Sequence, residues 1–79
     1  MEVKELKNVF DAGGLKHAVV SPAFGTKGYE VILTTSKNQN VVLTAQRSDN
    51  QPRVFKSIDA AISVTTKIGF RRVLFQLPN

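Results

Sequence analysis

The sequence contains no cysteine. That excludes disulfide staples and thiolate metal sites, so a chain of 79 residues must be held by packing alone or by self-association. Long apolar runs are missing too, and none approaches the roughly 20 residues that span a bilayer. The opening stretch MEVKELKNVF lacks the apolar region of a signal peptide. A cytoplasmic protein without membrane association is therefore expected. Acidic residues are scarce, six against eleven Lys and Arg, and the net charge is +5. They are scattered singly, so no pair has acid/base spacing and no cluster resembles a metal site. The single histidine, His17, lies in a strand-like segment, where a lone His is more often a packed or surface residue than a base or ligand. Ser21, Ser36, Ser48 and Ser57 fall at caps and turns, where local hydrogen bonding accounts for them. These absences point to a non-enzymatic protein with no cofactor and no metal.

Internal repeats and low-complexity segments are also lacking. At 42% hydrophobic and 22% charged residues, the composition is that of a globular domain. The length allows one small domain, 1–79, with a thin core. The excess of positive charge suits a polyanionic partner, nucleic acid being the commonest. Solubility alone also accounts for it.

The clearest unit is Arg53–Leu77, an extended lead-in, a capped helix and a strand. Ser57 is a good N-cap, with Asp59 in the first turn, Lys67 in the last, and Gly69-Phe70 as a stop. Ile58, Ala61, Ile62, Thr65 and Ile68 mark the expected apolar face. Residues 2–12 read as a first helix with Val3, Leu6 and Phe10 on one side, either docked or a peripheral arm, and Gly13-Gly14 ends it. A strand is expected over 15–21, and a hairpin over 28–36 and 40–47 around Lys37-Asn38-Gln39. Phe24, in the loop between the first two strands, is expected to fold onto the core, the alternative being an exposed contact residue. The last strand sets Val73, Phe75 and Leu77 against Arg72, Leu74 and Gln76. The order is α-β-β-β-(β)-α-β, an α+β domain with two helices on a mainly antiparallel sheet of three to five strands.

Each hairpin arm carries an unbroken apolar triplet, Val31-Ile32-Leu33 and Val41-Val42-Leu43. A strand with one wet face alternates, so the triplets imply apolar cover on both faces. One helix on each face would supply it, as would a second subunit. Self-association is the expectation.

Gly25-Thr26-Lys27-Gly28 lacks phosphate-loop spacing and precedes a strand, so it reads as a turn. The remaining signal is basic. Arg47, Arg53, Lys56, Arg71 and Arg72 are the expected nucleic-acid contacts, binding phosphates with weak sequence preference. On a regular strand, Arg71 and Arg72 would point to opposite faces. No helix-turn-helix, zinc finger or other base-reading motif is present.

The segment RVFKSIDAAISVTTKIGF, Arg53–Phe70, follows the pattern R-x-F-x-S-[LI]-D-A-A…(L/I)-G-[FV]. It resembles small basic proteins of plasmids and integrative elements, among them partition-associated proteins of the ParC type. The likeness covers about a quarter of the chain. It implies plasmid maintenance or association with DNA or a DNA-binding partner, and assigns no catalytic residue. The alternative is a protein–protein interaction module without DNA contact, acting as a homodimer or as an inhibitor of a host enzyme.

Overall fold

The computed structural model describes residues 2–23, 25, 27–44 and 52–76. Its elements are α1 (Val3–Asp11), β1 (Leu15–Pro22), β2 (Tyr29–Thr35), β3 (Asn40–Val42), α2 (Ile58–Ile68) and β4 (Leu74–Phe75). The class and order are those expected from the sequence. The four strands form one sheet in the order β3-β2-β1-β4. β1 pairs antiparallel with β2, and β2 with β3, while β4 joins β1 in parallel. The sheet is therefore mixed, with an antiparallel centre.

Local chemistry explains each boundary. Glu5 of α1 accepts the Glu2 N–H at 3.2 Å, closing the first turn. Asn38 carries the positive φ (64°) that the β2–β3 turn requires, and the Thr35 hydroxyl accepts the Gln39 N–H at 3.1 Å. The second arm of the hairpin is shorter than its β-branched run suggested: β3 ends at Val42, and residues 45–47 lie outside the described residues. The lead-in to α2 forms no full strand. It instead ties to the sheet where Phe55 and Tyr29 exchange two backbone hydrogen bonds of 2.8 Å, and where the Arg53 N–H donates to the Leu43 carbonyl at 2.9 Å. Gly28 permits that approach, because a Cβ there would stand 2.6 Å from the Phe55 carbonyl oxygen.

α2 starts and stops where the sequence indicates. The Ser57 hydroxyl accepts the Ala60 N–H at 3.2 Å, and Gly69, at φ 134°, donates to the Thr65 carbonyl. Its buried face is rotated, however. Ala61, Val64, Thr65 and Ile68 are inside, Val64 at 6% exposure, whereas Ile62 is 40% exposed. α2 packs against both the sheet and α1, and this two-sided contact draws in Val64 rather than Ile62.

Both helices lie on the same face. Leu6 of α1 is fully buried, together with Ala61 and Ile68 of α2, against Ala18, Val20, Val31 and Leu33. In the strand register these four sheet residues all point one way. Phe10 and Phe70 meet edge to face at 4.8 Å and close one end of the core. An arrangement with one helix per face is therefore ruled out. The middle residues of the triplets, Ile32 and Val42, lie on the helix-free face with Val19 and Leu74. The last strand is shorter than expected, and both of its residues are exposed. Phe24 and Leu77 lie outside the described residues.

Candidate nucleic-acid interface

The parallel pairing of β4 with β1 sets the site. Leu74 pairs with Val19, and Phe75 with Val20. The residues just before β4 consequently run beside the first half of β1. Arg71 and Arg72 thus approach Lys16 and His17, four basic side chains from two segments over fifty residues apart in sequence. Upstream, Gly69 ends α2, and the Phe70 N–H donates back to the Thr65 carbonyl at 3.1 Å, fixing how the chain leaves the helix.

The product is a groove of about 690 Å³ floored by Phe10, Ala18, Gly69 and Phe70, with Leu74 at its lip. None of its lining residues is acidic. Lys16, His17, Arg71 and Arg72 are exposed. The Lys16 ammonium donates to the neutral Asn38 side-chain oxygen at 2.8 Å, which orients it without cancelling its charge. The ion pair among the described residues, Lys7 with Asp11 at 3.7 Å, belongs to the surface of α1. An uncompensated cationic rim over an apolar floor attracts anions from solution, and the arginine forks match phosphate oxygens.

The basic residues expected to bind nucleic acid are distributed differently from one another. Arg71 and Arg72 share the groove; because β4 begins only at Leu74, the opposite-face rule of a regular strand does not separate them. Arg53 lines a second groove of about 430 Å³, with Glu2, Lys4, Lys7 and Thr44, and its guanidinium lies 4.8 Å from the Phe55 ring centroid. Lys56 is exposed ahead of α2 and lines neither groove. Arg47 lies outside the described residues. Lys16 and His17 were not foreseen as members, since only the crossover to a parallel edge strand brings them to the arginines.

The ParC-like family profile matches residues 1–77. The chain belongs to the ParC-like family. No curated protein and no solved structure matches it. In this ParC-like fold, the segment that carried the resemblance is structural. Phe55 anchors to β2, Ser57 caps α2, and Gly69 lies against Phe10. The segment's output is to deliver Arg71 and Arg72 to β1. Among the described residues, no helix is long and apolar enough to cross a membrane.

Proposed function

We propose that this ParC-like protein is a non-enzymatic accessory protein of a plasmid or other mobile element that holds nucleic acid by its phosphates. The observation that carries the reading is the groove, where Lys16, His17, Arg71 and Arg72 converge with no acidic neighbour in the lining. Family membership supports the partition-related setting. Phosphate contacts position a protein without reading sequence, so affinity falls with salt and depends little on base order. A titration of labelled duplex and single-stranded DNA across a salt series tests this. Each neutralised duplex phosphate contributes a slope of about 0.9 in log affinity against log salt. Arg71→Ala with Arg72→Ala flattens the slope by roughly one to two units. Arg53→Ala, in the other groove, leaves it nearly unchanged. Absence of DNA affinity at low salt would sink the reading.

A second reading is a protein-interaction module, as homodimer or as inhibitor of a host enzyme. It is favoured by the apolar residues Leu74 and Phe75 exposed on the edge strand.

A further inference from the structure

We infer that the groove between the end of α2 and the start of β1 takes an unpaired nucleotide, so that its partner is a single strand rather than a duplex. This rests on the phosphate-binding reading above and adds which form of nucleic acid the groove selects. A rim of charge needs no cavity beneath it to hold phosphates. This rim stands over a concave floor of Phe10, Ala18, Gly69 and Phe70. The cavity, about 690 Å³, falls within the roughly 300–1,000 Å³ of sites that enclose a small organic group. Phe10 meets Phe70 edge to face at 4.8 Å yet is only half-buried, so part of its surface stays accessible. Leu74, 60% exposed, carries the apolar surface out to the lip.

Rim and floor ask for different chemistry. A phosphate set on the floor would lose its hydration with no side-chain donor to replace it, so it belongs at the rim. The floor suits a flat ring with an apolar face, and a nucleobase has one. A duplex keeps its bases stacked and paired inside and reaches the rim alone. A single strand supplies both groups at once, phosphates to Lys16, Arg71 and Arg72 and a base to the floor. Every base has a π-face and no floor side chain reads an edge, so sequence preference stays weak. The second groove meets neither condition. Its lining holds Arg53 and two lysines, but also Glu2 and no aromatic residue.

Three DNA probes of equal length test the inference on the full chain at one salt concentration: oligothymidylate, the same sugar–phosphate strand without bases, and a duplex. Oligothymidylate should bind about tenfold or more tighter than the abasic strand, the effect of one stacked base. It should also bind tighter than the duplex, although the duplex carries more phosphates. The Phe10 ring-proton resonances should shift with oligothymidylate and not with the abasic strand. Leu74→Ser, at an exposed position, should lower the ratio of oligothymidylate to abasic affinity several-fold. Equal affinity for the two strands, or a duplex bound more tightly than either, overturns the inference and leaves the phosphate reading standing. Thymidine monophosphate bound as tightly as the strand would assign the groove to a free nucleotide and overturn it too. Loss of all three probes at low salt removes the phosphate reading and this inference together.

Discussion

Gly69 occupies the point where the core, the end of α2 and the basic groove meet, so its replacement by alanine tests the geometry sharply. Two separate costs can be worked out. The backbone at Gly69 has φ 134° and ψ −3°, a region essentially reserved for glycine. Holding alanine there costs about 1–3 kcal/mol. A Cβ would also stand 2.5 Å from one carbon of the Phe10 ring and 2.6 Å from the next. Turning the ring aside would give up its edge-to-face contact with Phe70. Forcing extra volume into such packing costs about 1–3 kcal/mol more.

Together these predict that Gly69→Ala destabilises by roughly 2–6 kcal/mol, a large part of the total for a domain this small. The melting temperature should fall by about 10 °C or more. Urea unfolding reads the loss as a lower midpoint at unchanged slope. A double-mutant cycle with Phe10→Ala separates the terms. Without the ring the steric part disappears, and Gly69→Ala should cost only the backbone part, a coupling of about 1–3 kcal/mol. A loss below about 1 kcal/mol, or an equal loss in both backgrounds, would refute the contact between Gly69 and Phe10.

Three further substitutions probe the helices. Val64→Ala should cost about 1–3 kcal/mol and Ile62→Ala well under 1, as read from chemical denaturation, because Val64 is inside while Ile62 is 40% exposed. Equal costs would return the buried face of α2 to the one expected from periodicity alone. Leu6→Ala should cost about 2–5 kcal/mol in the same assay, since Leu6 is fully buried in the core cluster. An unchanged midpoint would make α1 a peripheral arm.

Element types and order were legible because each carries a local signature. Ser57, Asp59, Lys67 and Gly69 mark the ends of α2 by capping and dipole chemistry acting within a turn, and the structure uses Ser57 and Gly69 as that chemistry dictates. Asn38 in a short polar stretch between β-branched runs likewise marks the hairpin. The choice between Ile62 and Val64 was not local. Both are apolar and flank the same stripe, and the two-sided packing of α2 against α1 and the sheet selects one. The side of the sheet on which α1 lands was equally hidden, since an amphipathic helix specifies that one of its faces is buried and not against which surface.

The groove was illegible for a related reason, and the reason bears on its role. Arg71-Arg72 and Lys16-His17 are each unremarkable surface pairs in sequence, and nothing in either spacing refers to the other. They become one site only because β4 pairs with β1 in parallel, through two residue pairs and the bond from the Gln76 N–H to the Val20 carbonyl at 2.9 Å. Parallel pairing needs a long crossover and is intrinsically the weaker ladder, so so short an edge does little to hold the sheet together. What it does achieve is placement. It carries two arginines across from the end of α2 to the basic start of β1, and it sets the exposed Leu74 beside them at the lip of the groove. Basic charge and exposed apolar surface thus depend on the same two-residue strand. Its outward hydrogen-bonding edge and exposed side chains contribute little to the core but are placed where partners of both kinds would meet.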